Sequence, residues 1–491
     1  MKSILRKILA AILVILAAAI LLAYFLWPQT WTVNAPITNS MFGWGISSPE
    51  PAEAQARLHL PEAYHLNIYA SGLGQARIMR WTSAGDLLVS IPRKGEIVLI
   101  ARDSGNSGRG GKVRTLLSGL NRPHGIEIAD GFLFIGETDA ILRVAFDEAA
   151  GETRGEPVRI VTGLPGGGNH WSRTVRLGPD GFLYVHVGSS CNACIEDDKR
   201  RATLMRVRPD GSGLEIFAEG LRNTVGYDWD SDGVLWGVEN GRDLLGDDLP
   251  PEELNRIERG KFYGWPFRYG NNAADPEFGK TEDPRAAAAI APVLYLPAHA
   301  APLSIKFMRG AARPGLEGKT ALVALHGSWN RSRKQGYEVI ALRWNEFGGI
   351  DVQPFLTGFN RAENVSGRPV DITEGPDGAL YVSDDYAGVI YRISTDSKAA
   401  AALQPEKTLA RITDEPIDHE AIARGEALFE SKGCTECHGG NPPMVQYKSL
   451  SRYSSEEIAA ILTTPPANMP AVPLRRQQKL DLAAYLRATY K

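Results

Sequence analysis

At 491 residues the chain is too long for one ordinary compact domain and divides into a large unit, a smaller one and connecting segments. Its 54 Lys and Arg against 57 Asp and Glu leave a formal charge of −3, so no global basic field supports a nucleic-acid partner. The four cysteines fall into two C-x-x-C pairs, Cys191 with Cys194 and Cys434 with Cys437, and neither belongs to a long disulfide framework.

The chain opens with Lys2, Arg6 and Lys7, followed by an uninterrupted apolar run from Ile8 to Trp27. At about 1.5 Å of rise per residue such a run is long enough to cross a bilayer. No Lys or Arg follows until Arg57, so the positive-inside bias keeps the N-terminus cytoplasmic and places the bulk of the chain in the periplasm. The competing reading is a cleaved secretory signal ending at Ala17, Ala18 and Ala19. The apolar run continues past them, which favours a single-pass transmembrane helix in the cytoplasmic membrane over residues 1–28. Residues 29–57, rich in Pro, Ser, Thr and Ala, have the composition of a spacer with no function of its own.

From 58 to 396 one pattern recurs: a short apolar strand, a polar turn with Gly or Asp, a second strand rich in Val, Ile, Leu or Tyr, then another strand. Copies begin near Trp81, Gly125, Val175, Tyr227, Thr320 and Asp371. The Asp-Gly turns at 180–181, 232–233 and 377–378 supply the positive φ that tight strand connections require. About six such copies predict a mainly β fold, a six-bladed β-propeller, whose loops converge at one end of a central channel. The architecture alone implies no activity, and a propeller that only docks partners fits the repeats equally well. Cys191-Asn-Ala-Cys194 lies in a loop of the third copy and closes a small disulfide if its Cα atoms come within reach; a zinc site is disfavoured because no second pair remains nearby.

Residues 397–417 read as a second linker, and 418–491 as a small all-α domain with helices over 419–431 and 475–490. Between them Cys434-Thr-Glu-Cys437-His438 is the covalent haem attachment signature: two thiols spaced to add to adjacent vinyl groups, and a histidine next in line to bind iron. With its entry helix, this motif, Asn468-Met469-Pro470 and the final Ala483-Ala-Tyr-Leu486 helix, the domain resembles class I cytochromes c. The resemblance implies a downstream methionine as second axial ligand. Met444 lies only six positions beyond His438, poorly placed to cross the haem, so Met469 is preferred.

The large unit also resembles a known family. The segments that carry the resemblance are Asn121-Arg-Pro-His124-Gly, Gly168-Asn-His170-Trp-Ser-Arg173, Gly220-Leu-Arg222-Asn223, Glu239-Asn-Gly241-Arg242-Asp243, Phe262-Tyr-Gly-Trp-Pro266, His326-Gly-Ser-Trp-Asn330 and Ser366-Gly-Arg368-Pro-Val-Asp371. Their order is similar to that in soluble quinoprotein sugar dehydrogenases that carry pyrroloquinoline quinone, L-sorbosone dehydrogenases in particular. The resemblance implies His170 as general base, Arg222 and Asn223 at the quinone oxygen on which charge develops, and Arg368 and His124 as further quinone contacts. It also implies that the backbone carbonyls of Gly241 and Arg242 bind a calcium ion, with Asp247 and Asp248 close by. One departure stands out: where glucose-oxidising members place an aspartate to partner the base, this chain has Ser189, so that the carboxylate is either missing or supplied by Glu196 or Asp197.

The expected protein is therefore a membrane-anchored periplasmic dehydrogenase. It oxidises a sugar or sugar-derived aldehyde with pyrroloquinoline quinone and calcium, and passes electrons through haem c to a respiratory acceptor, the quinone pool or another cytochrome. The rivals are a calcium-dependent six-bladed lactonase and a docking propeller attached to an electron-transfer cytochrome; both leave the haem without an electron source.

Overall fold

The computed structural model describes residues 32–34, 47–103, 105, 107–310, 313–396, 418–432 and 474–489, together with positions 15, 434, 455, 458, 459 and 462. Six four-stranded antiparallel sheets account for the large unit. Five are built from consecutive strands or nearly so. They start at Met79–Trp81, Ile126–Ala129, Val175–Leu177, Gly226–Trp229 and Pro302–Phe307, which we call blades 1 to 5. Blade 6 comprises Pro369–Glu374, Leu380–Asp384 and Val389–Ser394, and its outermost strand is His65–Ala70, with His65 opposite Ser394. The first strand of the unit thus completes the last blade and closes the ring.

The second strand of a blade is buried on both faces, as at Leu87–Ile91 and Leu183–Val187, where every residue is buried. The strand period of two explains this. Leu87 and Val89 pack toward blade 6 while Leu88 packs toward blade 2; Leu133 and Ile135 pack toward blade 1 while Phe134 packs toward blade 3. Each of six hydrophobic clusters joins two neighbouring blades in this way. Truncating one such leucine to alanine costs about 2–5 kcal/mol. At the three Asp-Gly turns the glycines sit at φ of 79°, 76° and 79°.

Successive strands run in opposite directions, so the start of each first strand and the end of each second strand lie at one end of the ring. That end, the mouth, gathers the loops quoted above, except Phe262-Tyr-Gly-Trp-Pro266, which runs beside the outer strand Glu215–Glu219 of blade 3. Segment 29–57 is more than a spacer where it is described. Pro51–Arg57 forms a helix with proline in its first turn, and Ala54 is buried in the cluster between blades 5 and 6. Asn34 N–H donates to the Trp329 carbonyl (2.8 Å), the Asn330 amide donates to the Thr32 carbonyl (2.6 Å), and Ser48 Oγ donates to the Ala387 carbonyl (2.8 Å). All three ties are made at the mouth.

Among the described residues no helix is long and apolar enough to cross a membrane; the span proposed for 1–28 lies outside them, apart from position 15. In the C-terminal unit the helices His419–Ser431 and Arg476–Thr489 pack together, with Phe429 and Tyr485 ring centroids 5.4 Å apart. Cys434 is buried in the same cluster as Phe429, Ile458, Leu462 and Leu482. The linker 397–417 and the proposed haem residues Cys437, His438, Met444 and Met469 lie outside the described residues.

Candidate active site at the propeller mouth

His170 precedes the first strand of blade 3. Its Nδ1 lies 2.9 Å from both the carbonyl oxygen and Oγ of Ser189. A carbonyl can only accept, so Nδ1 carries the proton and Nε2 keeps its lone pair. Ser189 Oγ donates onward to the Cys191 carbonyl at 2.7 Å, which leaves Oγ an acceptor toward the ring as well. Burial, with the Arg222 charge adding to it, holds the imidazole well below its ordinary pKa. The carboxylates considered as its partner are engaged elsewhere or make no bond to it: Glu196 accepts from Ser190 N–H (2.6 Å) and Ser190 Oγ (2.7 Å). A neutral hydroxyl and a backbone carbonyl orient the imidazole instead. Arg173, buried and between His170 and blade 3, donates to the His170 carbonyl at 3.0 Å and fixes the turn.

Arg222 and Asn223 precede the first strand of blade 4. All five N–H donors of Arg222 have acceptors within the protein. They are the carbonyls of Asn192 (2.8 Å), Asn240 (3.1 Å) and Gly241 (2.6 Å), Asn192 Oδ1 (3.0 Å) and Asp243 Oδ2 (3.4 Å). The residue expected to donate to a bound quinone therefore has its donors engaged within the protein. A direct bond to ligand requires release of one acceptor, Asp243 being the most distant. Asn223 Oδ1 is buried with no partner. A Cβ on Gly188 would lie 2.6 Å from His170 Cβ and 2.7 Å from Asn223 Oδ1, so only glycine lets these two groups come together across the blade 3–4 boundary. Behind Asn223, Glu239 accepts from Asn223 N–H (2.6 Å) and from the Thr224 hydroxyl, and burial pushes its carboxyl up to about 8.

On the opposite rim, Arg368 donates to the carbonyls of His326 (3.1 Å) and Gly327 (2.8 Å). Asp385 joins His326 Nε2 (2.8 Å) to Arg77 Nη2 (2.7 Å). Burial, with Arg368 adding, brings His326 down to about 4, so it is neutral and donates to Asp385. The Arg122 guanidinium lies 4.0 Å over the Trp171 ring, and Arg77 5.5 Å from it. His124, fully buried, meets the Trp171 ring edge-on at 5.7 Å, and its Nε2 is buried without a partner. The structure thus places every proposed propeller site residue at the mouth and adds Arg77, Arg122, Asn192, His326 and Asp385. Of these, Arg122 and His326, which stand in quoted motifs, and Asn192, within the Cys-Asn-Ala-Cys turn, carried a sequence signal; Arg77 and Asp385 did not.

Cys191 and Cys194 are joined in a disulfide, with Cα atoms 6.2 Å apart. The carbonyl of Gly241, one of the two assigned to calcium by resemblance, accepts from Arg222. The Arg242 side chain pairs with Asp275 at 2.8 Å and Glu277 at 3.3 Å.

Residues 135–392, more than half of the chain, match the family of glucose/sorbosone dehydrogenases. The chain belongs to that family. It is 32% identical over 297 residues to an uncharacterized protein of Borreliella burgdorferi, covering 57% of this chain and 78% of the relative. It is 26% identical over 420 residues to a pyrroloquinoline quinone-dependent pyranose dehydrogenase of Coprinopsis cinerea, covering 71% of this chain but 56% of the relative. The fold is shared with the solved quinone-binding domain of Coprinopsis cinerea pyranose dehydrogenase (TM-score 0.59, 23% identity, 69% of this chain and 97% of that one). It is also shared with the calcium structure of a Trichoderma reesei carbohydrate-active enzyme (TM-score 0.61, 20% identity, 72% and 99%).

Proposed function

We propose that this glucose/sorbosone dehydrogenase family member oxidises a sugar or sugar-derived aldehyde with pyrroloquinoline quinone held at the mouth. The observation that carries the reading is the fixed tautomer of His170, a neutral base whose Nε2 lone pair is left available beside Arg222 and Asn223. The group fits the residues present. A planar polyanion suits a rim bearing Arg77, Arg122, Arg222 and Arg368, and the unpartnered Asn223 Oδ1 and His124 Nε2 are the kind of buried polar atoms a polar ligand satisfies. When bound, the quinone supplies a two-electron acceptor for hydride. His170 Nε2 removes the proton of the substrate hydroxyl, the Ser189 carbonyl stabilises the resulting imidazolium through Nδ1–H, and Arg222 stabilises negative charge developing in front of it. Calcium, where it binds, would be held by the Gly241 and Arg242 carbonyls, the first of them shared with Arg222, with Asp243 offsetting the added charge.

The further parts of the reading are a haem c on Cys434 and Cys437 with iron bound by His438 and Met469, electron delivery to a respiratory acceptor, and an anchor over 1–28 in the cytoplasmic membrane. Four peptide units separate Pro28 from Thr32, a reach of at most about 14 Å. An anchor ending there, together with the ties of Thr32 and Asn34, holds the mouth toward the bilayer.

The test is titration of the purified full chain with pyrroloquinoline quinone with and without calcium, followed by a sugar and aldehyde panel read by dye reduction and by the reduced haem bands. Binding with sugar-dependent reduction is expected. Neither binding nor reduction across the panel would return a lactonase or docking role to the front.

A further inference from the structure

Asn192 sits inside the four-residue disulfide turn Cys191–Cys194 and makes more bonds to the site than its length would suggest. Its carbonyl accepts from Arg222 Nε (2.8 Å) and its Oδ1 from Arg222 Nη2 (3.0 Å). The same Oδ1 accepts from Asp243 N–H (2.7 Å), and its Nδ2 donates to the Asp243 carbonyl (2.9 Å). This turn belongs to blade 3, whereas Arg222 and Asp243 belong to blade 4. On its other side the turn receives the Ser189 hydroxyl at the Cys191 carbonyl, and Ser189 holds His170. Glu196 closes the base of the turn through Ser190, its carboxylate within 4.0 Å of Cys191 Sγ.

We propose that the Cys191–Cys194 turn is a positioning element of the active site, with Asn192 as the clamp that holds the Arg222 guanidinium beside His170 and Ser189 as the arm that holds the His170 ring. The inference rests on the reading of His170 as the base, yet its geometry is independent of any bound group. A turn closed by one disulfide between residues three apart has few backbone alternatives, so the Asn192 carbonyl and amide are presented to Arg222 in one arrangement. Two of the five acceptors of Arg222 come from this residue. The remaining three, Asn240, Gly241 and Asp243, all lie on the blade 4 side. Without the clamp the guanidinium is drawn toward them and away from blade 3, where His170 sits. Its charge then acts on the imidazole from further off, against an unchanged background of Arg173, His186 and the Ser189 carbonyl, the other groups that bear on His170.

The experiment uses the cofactor-free full chain with 13C-labelled histidine. The His170 resonance is assigned by its loss in His170→Ala, and its pH titration is compared among wild type, Asn192→Ala and the double variant Cys191→Ser with Cys194→Ser. The His170 pKa should rise by about one unit in Asn192→Ala, and by at least as much in the double variant, because a nearby cation has been withdrawn. In the loaded enzyme the acidic limb of kcat/KM should move up with it and kcat should fall about tenfold or more. A variant that folds and titrates His170 as wild type does overturns the proposal. If neither variant folds, the wild-type disulfide is reduced with a phosphine in the folded protein, the thiols are alkylated, and the same titration decides: a raised pKa supports the clamp and an unmoved one refutes it. Absence of sugar oxidation in the wild type would instead count against the proposed function and leave the titration result intact.

Discussion

His170 Nδ1 lies 2.9 Å from the carbonyl oxygen of Ser189, and because that oxygen cannot donate, a backbone group settles which ring nitrogen keeps its lone pair. The usual way to hold such a ring is a carboxylate, which also raises its basicity. A carbonyl orients without adding a full negative charge, so this base is weaker and stays neutral further into acid. His170→Ala should lower turnover by about 10²–10⁴-fold with quinone binding nearly intact. Ser189→Asp should move the acidic limb of kcat/KM upward, since a carboxylate in place of Oγ favours the imidazolium. A pH–rate profile of the two variants checks both, and near-normal turnover in His170→Ala would shift attention to His326, whose tautomer is fixed by Asp385.

Glu239 links stability to the site. Burial raises its carboxyl to about 8, above the ordinary carboxylate range, so the folded state binds a proton that the unfolded state releases. Its stabilising contribution is full below about pH 4.5 and is lost as pH rises toward 8. Glu239→Gln keeps an acceptor for Asn223 N–H but cannot ionise. The urea midpoint of the wild type should therefore decline from pH 6 to pH 8.5 more than that of the variant; parallel declines would show that Glu239 is ionised at neutral pH.

Much of the propeller is legible in the sequence because each blade repeats one pattern, and its Asp-Gly turns and doubly buried second strands are local signals. Blade 6 is the exception. Its outer strand, His65–Ala70, is separated from its partner Val389–Ser394 by the whole ring, and a repeat scan has no copy to compare it with. The site divides along the same line. His170, Arg222 and Arg368 stand in recognisable motifs, but the acceptors of Arg222 are mostly main-chain carbonyls, which carry no residue signature. Asn192 is a short polar residue between two cysteines and reads as filler until the disulfide places its carbonyl and amide together. The expected carboxylate partner of His170 is absent for a related reason: the pairing of Glu196 with Ser190 depends on the path of the turn.

The proposed ligation of a haem c by His438 and Met469 yields a second kind of measurement. Thioether ligation raises a haem potential relative to bis-histidine ligation, so Met469→Ala should lower the potential of the bound haem and Met444→Ala should leave it unchanged. Redox titration of the two variants checks this, and the reverse result would assign Met444.

Gly425 controls how closely the two described helices of the C-terminal unit approach. A Cβ built there would lie 2.1 Å from the Asp481 carbonyl oxygen and 2.7 Å from Tyr485 Cβ, neither of which is the movable tip of a side chain. Alanine can therefore be accommodated only by separating helix His419–Ser431 from helix Arg476–Thr489. That separation would also pull Arg424 from Asp481, at present 3.1 Å apart, and loosen the cluster of Phe429, Leu482 and Ala483 in which Cys434 is buried. Forcing a methyl group into such a contact costs about 1–3 kcal/mol, a large share of what a unit of this size has to spare. Gly425→Ala should accordingly lower the haem content per mole of purified protein and broaden the thermal transition of the C-terminal unit, while propeller unfolding and quinone binding stay as in wild type. Haem absorbance against total protein, measured alongside a calorimetric scan, is the check. An unchanged haem content and an unchanged transition would mean that the helices separate without cost and that the close crossing at Gly425 does not hold the unit together.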